Sequence, residues 1–216
     1  MYRLAFFLFL LVPQLIKAQG KPASKDQLIL EFSQESWLNA PEEIQTEWYS
    51  WGIGLNFYKD LIINKNWSVA PGVSVLFHNV YSNYRFRRDE NTGQSIYEIL
   101  TPDSYTNNKI VTQYIDIPLE IRFRGKPDDF GRFLRIYAGG KVGYNVSSFS
   151  KYVDDNLKVK HYNLAELNEL RYGLTLRVSY SFVGVHVYYS LSELFQENGP
   201  MQGMTPLSVG ISFFGL

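Results

Sequence analysis

The sequence predicts an all-β fold, an eight-stranded antiparallel up-and-down transmembrane β-barrel. Three observations lead there. Eight segments alternate in polarity with a period of two residues, as strands with one apolar and one polar side do. The connections between them alternate between short and long. The chain also opens on an export signal.

Composition narrows the field further. A chain of 216 residues suits one domain. Its 21 basic and 21 acidic residues balance, without the basic footprint of a nucleic-acid binder. At 45% hydrophobic and 16% aromatic residues, it has enough apolar surface to fold. The absence of cysteine excludes disulfides, thiolate metal sites and a lipidated N-terminal cysteine.

The N-terminus, MYRLAFFLFLLVPQLIKAQG, has a cation at Arg3, an apolar run over 4–12 and a small residue, Ala18, at a cleavage position. The run is far shorter than the ~20 apolar residues of a membrane-spanning helix. Residues 1–18 are therefore expected to be a secretory signal peptide, with the barrel domain over 19–216. Without Arg3 and Lys17, 19 of the 21 basic residues remain against 21 acids, a slight negative excess.

The strands follow in order. The first, near 27–37, sets Leu28, Leu30 and Phe32 against Glu31, Ser33 and Glu35. The second, from Trp48, sets Tyr49, Trp51, Ile53, Leu55 and Phe57 against Ser50, Gly52, Gly54 and Asn56. The third, from Trp67, sets Val69, Val73, Val75 and Phe77 against Ser68, Ser74 and His78. The fourth is the clearest: in VTQYIDIPLEIRFR, from Val111, the side with Ile115, Ile117, Leu119, Ile121 and Phe123 opposes Asp116, Glu120, Arg122 and Arg124. The fifth, from Phe133, opposes Leu134, Ile136 and Val142 to Arg135, Tyr137 and Lys141. The sixth, from Leu170, opposes Leu174, Leu176 and Val178 to Arg171, Thr175 and Arg177. The seventh opposes Val183, Val185 and Val187 to His186 and Ser190, and the eighth Leu207, Val209, Ile211 and Phe213 to Ser208 and Ser212. Short connections are expected at 59–66, 125–131 and a tight turn at Phe182–Gly184. Long polar ones are expected at 38–47, 80–110, 147–168 and 195–205. LAELNELR at 164–171 has the spacing of a short helical turn.

A sheet with one apolar and one charged side suits a soluble sandwich with the apolar side inward, or a membrane barrel with that side toward lipid. Three features favour the barrel. The polar side is rich in Gly, Ser, Tyr and charges of both signs, which fit the narrow interior of eight strands. The apolar side of the strands carries no charge, which at the midplane would cost about 2–4 kcal/mol for Arg or Lys. Trp48, Tyr49, Trp51, Trp67, Tyr144, Tyr172, Tyr180 and Tyr189 fall near strand ends, where aromatic girdles sit. The expected place is the bacterial outer membrane, with termini and short turns in the periplasm and long loops outside.

The KAQ signal ending, WLNAP, WYSWGIGLNFY, YIDIPLEIRFR with GKPDD, KVGYNV, RYGLTLRVSY and PLSVGISFF together resemble the outer-membrane β-barrel domain proteins of Bacteroidetes known as the PorT-like family. The resemblance runs over the whole mature chain and is most specific in YIDIPLEIRFR. It implies an eight-stranded outer-membrane barrel. The family's best-known member is an accessory of a protein secretion system, and most members have no assigned activity. One departure is the ending Phe213-Phe214-Gly215-Leu216, where outer-membrane barrels commonly finish on an aromatic residue; here the alternating ladder is expected to stop at Phe213.

The candidate site is the lumen charge network: Glu31, Glu35, Asp116 and Glu120 with Arg122, Arg124, Arg135, Lys141, Arg171 and Arg177. Such groups could form a salt-bridged plug, since unpaired buried charge is strongly destabilising, or line a narrow ion or solute channel. His78, His161 and His186 are scattered and lack metal-ligand spacing. A hydrolytic set of Ser190, His186 and Asp116 would require contact that spacing cannot supply. Gly139, Gly140 and Gly143 lie inside a strand, not in a phosphate loop. The run Phe86-Arg87-Arg88-Asp89-Glu90 in the longest connection is either a solvated loop or a partner surface. The chain is expected to be a non-enzymatic monomeric barrel without cofactor. Its expected partners are outer-membrane lipid and other envelope or secretion proteins, not nucleic acid.

Overall fold

Eight long strands close into an antiparallel barrel in the computed structural model, which describes residues 27–88, 95–101, 104–155, 157–196, 201 and 203–215. The signal peptide expected at 1–18, Asp89 and Glu90 lie outside the described residues. The elements are β1 (Leu28–Leu38), β2 (Trp51–Tyr58), β3 (Leu61–Ile62), β4 (Trp67–Tyr81), β5 (Tyr84–Arg88), β6 (Ser95–Ile99), β7 (Asn107–Arg124), β8 (Leu134–Val153), β9 (Lys158–Tyr162), β10 (Leu170–Tyr180), β11 (Val183–Ser190) and β12 (Thr205–Phe214). The barrel order is β1-β2-β4-β7-β8-β10-β11-β12, closed by pairing of β12 with β1. Closure leaves no open edge in lipid, where an unpaired backbone group would cost several kcal/mol.

The alternation follows the expected sides. Along β10 and the central part of β7, exposed and buried residues strictly alternate. Ile117 is 68% exposed and Val185 59%, values a soluble core would not allow but a lipid-facing belt requires. Trp67 and Phe123 pack at 5.1 Å near the short-turn end, while Trp48, Tyr49 and Tyr81 cluster near the loop end. The two aromatic groups mark the two membrane boundaries.

The structure corrects four expectations. The connections at 80–110 and 147–168 are largely strand: β5 pairs with β6, and β8 continues to Val153 and pairs with β9. Beyond the lipid neither side of a strand must be apolar, so pairing continues where the polarity alternation stops. A bulge between Gln113 and Tyr114 shifts the β7–β8 register and leaves Val146 unpaired as β8 leaves the apolar band. Residues 164–171 form no helix; Leu167 N–H bonds the Leu164 carbonyl at 3.3 Å, and both side chains are buried. The tight turn lies at Ser181–Phe182, with Ser181 at φ 64°, the left-handed geometry of a two-residue hairpin. Gly184 sits in β11, where a Cβ would overlap Ser179 on β10. Finally, Phe214 extends the last strand and turns inward, 4% exposed.

Candidate functional site

The inward faces of the strands build a layered lumen. At the short-turn end Ile29, Tyr58, Ala70, Tyr137 and Phe214 form an apolar plug, with Tyr137 and Phe214 edge to face at 5.9 Å. The charge network runs from the short-turn mouth past this plug into the barrel. All ten expected residues face the lumen; nine are at most 6% exposed, and Arg124 is partly open at the mouth.

The lower half of the network is a chain. Asp60 receives Arg124 Nη2 at 2.7 Å and Arg122 Nη1 at 3.3 Å. Arg122 Nε donates to Glu120 at 2.9 Å, and its guanidinium lies between the Tyr58 and Tyr137 rings at 4.1 and 4.6 Å. Glu120 also accepts from the Tyr58 hydroxyl at 2.8 Å and from Arg177. Arg177 Nε reaches on to Glu31 at 2.6 Å. Arg135, at the short-turn mouth, donates to the Ser181 carbonyl and stacks over Phe133 at 4.0 Å.

The upper half is centred on Asp116, which binds Lys141 Nζ at 2.9 Å and Arg171 Nη2 at 2.8 Å. Arg171 stacks on Tyr114 at 3.6 Å and donates from Nη1 to His78 Nε2 at 2.9 Å. That bond leaves the proton on His78 Nδ1, which donates to Glu35 at 3.1 Å. Glu35 also accepts from Ser208 at 2.7 Å and from Ser33. Asp60, Glu120, Asp116 and Glu35 thus each have at least two donors, the condition under which buried ions repay their desolvation.

Sequence reasoning missed Asp60, although a signal exists. Carrying the β2 alternation two residues past Tyr58 places position 60 on the lumen side. With it, five acids face six bases, and the cationic excess read from the sequence falls from two to one. Two small cavities in the lumen, one beside Lys141 and Arg177 and one beside His78 and Arg171, hold about 10 and 20 Å³, room for roughly a water each. Ser190, His186 and Asp116 do not come together. Ser190 Oγ donates to the Ser192 carbonyl at 2.8 Å, His186 Nδ1 lies 2.9 Å from Ser212, and Asp116 is held by Lys141 and Arg171.

At the loop end the connections fold into a cap that the sequence did not disclose. Trp37, Ile44, Val80, Tyr84, Phe86, Ile110, Leu164, Leu167, Leu194, Phe195 and Met204 form one apolar cluster drawn from all four long connections. Phe86 stacks on Phe195 at 5.7 Å and meets Tyr97 edge to face at 5.1 Å. Asparagine side chains tie the pieces together. Asn83 donates to the Glu43 carbonyl at 2.8 Å, Asn108 to those of Ser82 and Tyr84, and Asn168 to those of Glu193 and Phe195.

At the opposite end, Asp128 organises the β7–β8 turn. It accepts from the Tyr180 hydroxyl at 2.7 Å, from the Phe130 and Arg132 N–H groups, and from Arg132 Nε at 2.8 Å. Desolvation raises its pKa, but these hydrogen bonds outweigh it and hold the carboxyl at about 2, below its ordinary 3.8.

Among solved structures, the chain is similar to Ail, the attachment invasion locus protein of Yersinia pestis. The two are 10% identical with a TM-score of 0.43, over 87% of this chain and 95% of that one. A structure of Ail in complex with the heparin analogue sucrose octasulfate matches over the same shares at 12% identity and a TM-score of 0.35. No curated protein matches. The family model described as outer membrane protein beta-barrel domain matches residues 27–196, most of the chain and seven of the eight barrel strands. The chain belongs to the outer membrane protein beta-barrel domain family, and its place is the outer membrane.

Proposed function

We propose that the protein is a closed, monomeric, non-enzymatic barrel that serves as a structural or interaction component of the envelope, with the folded loop-end cap as its working surface. The observation that carries this reading is the shared apolar core beneath the cap, with Phe195 and Met204 fully buried in it. Loops that only closed a barrel would not need a core of their own. A preorganised surface lowers the ordering cost of binding a partner. The filled lumen fits the same reading, since a hydrated ion would have to displace paired charges to pass.

Residues 1–18 act as the export signal in this reading, and the loop end faces outside. The PorT-like resemblance of YIDIPLEIRFR and its neighbours supports a partner among envelope or protein-secretion components. The test is site-specific photo-crosslinking in cells. A crosslinker at exposed Trp48 or Leu157 on the loop end should capture a discrete envelope protein, and Phe195→Ala should abolish the product. Equal capture from Lys65 or Asp129 at the short turns, or capture that survives Phe195→Ala, would count against the cap.

A further inference from the structure

Lys109 on β7 lies directly across from Lys151 on β8, and Lys151 lies directly across from Lys160 on β9. Alternation puts all three on the outward face, together with Lys158, two residues before Lys160. Neighbouring strands are about 4.8 Å apart, so the three stems stand in a row roughly 10 Å wide. Like charges directly opposite one another destabilise a ladder. Among the described residues, none of these four ammonium groups has a carboxylate partner. Their contacts are neutral: Lys109 Nζ bonds Asn79 Oδ1 at 2.9 Å, and Lys160 Nζ lies 5.3 Å from the Phe149 ring.

Height along the barrel places this row. Phe123 and Trp67 mark the short-turn boundary. From Phe123 an apolar band of about 25 Å on strands tilted about 40° ends roughly ten residues on. That is where the outward side of β7 changes from Ile115 to Gln113. Lys109 stands four residues further, roughly 10 Å beyond the band, at the depth of lipid headgroups. Edge protection by lysine would account for Lys158 and Lys160 on β9. It does not account for Lys109 and Lys151, whose strands are paired on both sides.

We propose that this lysine row binds the phosphorylated saccharide headgroup of an outer-leaflet glycolipid, a lipopolysaccharide. The row supplies the charge that such a headgroup lacks, at its depth, on a face continuous with the lipid-facing belt. Exposed Tyr162 beside it offers a ring and a hydroxyl to sugar.

The test uses the full chain folded in phosphatidylcholine vesicles and titrated with lipopolysaccharide, enzymatically dephosphorylated lipopolysaccharide and inorganic phosphate, with binding read by tryptophan fluorescence. Saturable, salt-sensitive binding of the phosphorylated form alone is expected. At roughly fivefold per lysine, K109Q/K151Q/K160Q should bind about 100-fold more weakly. Lys59→Gln and Lys65→Gln at the opposite end should leave binding unchanged. Without glycolipid the triple variant should be at least as heat-stable as the parent, because its like-charge row is gone. Equal binding of the dephosphorylated form, parental affinity in the triple variant, or full competition by equimolar inorganic phosphate would each overturn the proposal. Should the triple variant fail to fold, the comparison of the two lipopolysaccharides on the parent protein decides the matter.

Discussion

Gly143 on β8 lies directly across from Asp116 on β7, and a Cβ at Gly143 would overlap the Asp116 carboxylate. The same pairing of a glycine with a lumen acid recurs at Gly54 across from Glu31 and Gly139 across from Glu120. The glycines make the room in which the charge network fits. Gly143→Ala should therefore cost about 1–3 kcal/mol by overpacking. Urea unfolding in vesicles, followed by the shift between folded and unfolded gel bands, measures this; an unchanged midpoint would show that the lumen has slack.

Arg177 bridges Glu31 and Glu120, so its loss leaves two acids facing each other without their shared cation. Arg177→Met should cost about 3–5 kcal/mol. Adding Glu31→Gln should restore part of that loss, because one uncompensated charge disappears. Equal costs in the single and double variants would argue that the pair is not coupled.

The Asp128 carboxyl, near 2 in the folded turn, contributes stability that is fully present above its ordinary 3.8 and is lost as pH falls through about 2. Asp128→Asn should lower stability at neutral pH, where the carboxylate's contribution is present, and flatten the acid limb of the stability curve between those values. Heat-modifiability midpoints from pH 2 to 7 provide the check.

The cap should be separable from the barrel. Phe195→Ala removes a fully buried ring from the cap core, a change typically worth about 3–5 kcal/mol. Limited proteolysis should then cut the 163–169 or 191–196 segments, while the unheated gel band still migrates as a closed barrel. Loss of the folded band would mean that cap and barrel form one cooperative unit.

What was legible in the sequence follows from where lipid imposes a rule. Between Ile115 and Ile121 every outward residue must be apolar, so the alternation exposes both the strand and the inward Asp116 and Glu120. Lys151 and Lys160 sit on strands just as regular, yet beyond the lipid nothing forces polarity to alternate. Asp60 escaped because it lies two residues past the end of β2, in a connection through which the alternation had to be carried to reach it. Tyr84, Phe86 and Phe195 form one core, but they lie on connections far apart in the chain, and only the folded barrel brings them together.

Planar-bilayer recording of the purified, folded chain is the most direct test of the closed lumen. With Arg177, Glu31, Glu120, Asp116 and Arg171 paired across the interior, the expected result is no conductance steps from protein that shows a full heat-dependent gel shift. Reproducible steps whose ion selectivity changes in Arg177→Met would contradict it and make the same residues the filter of a channel.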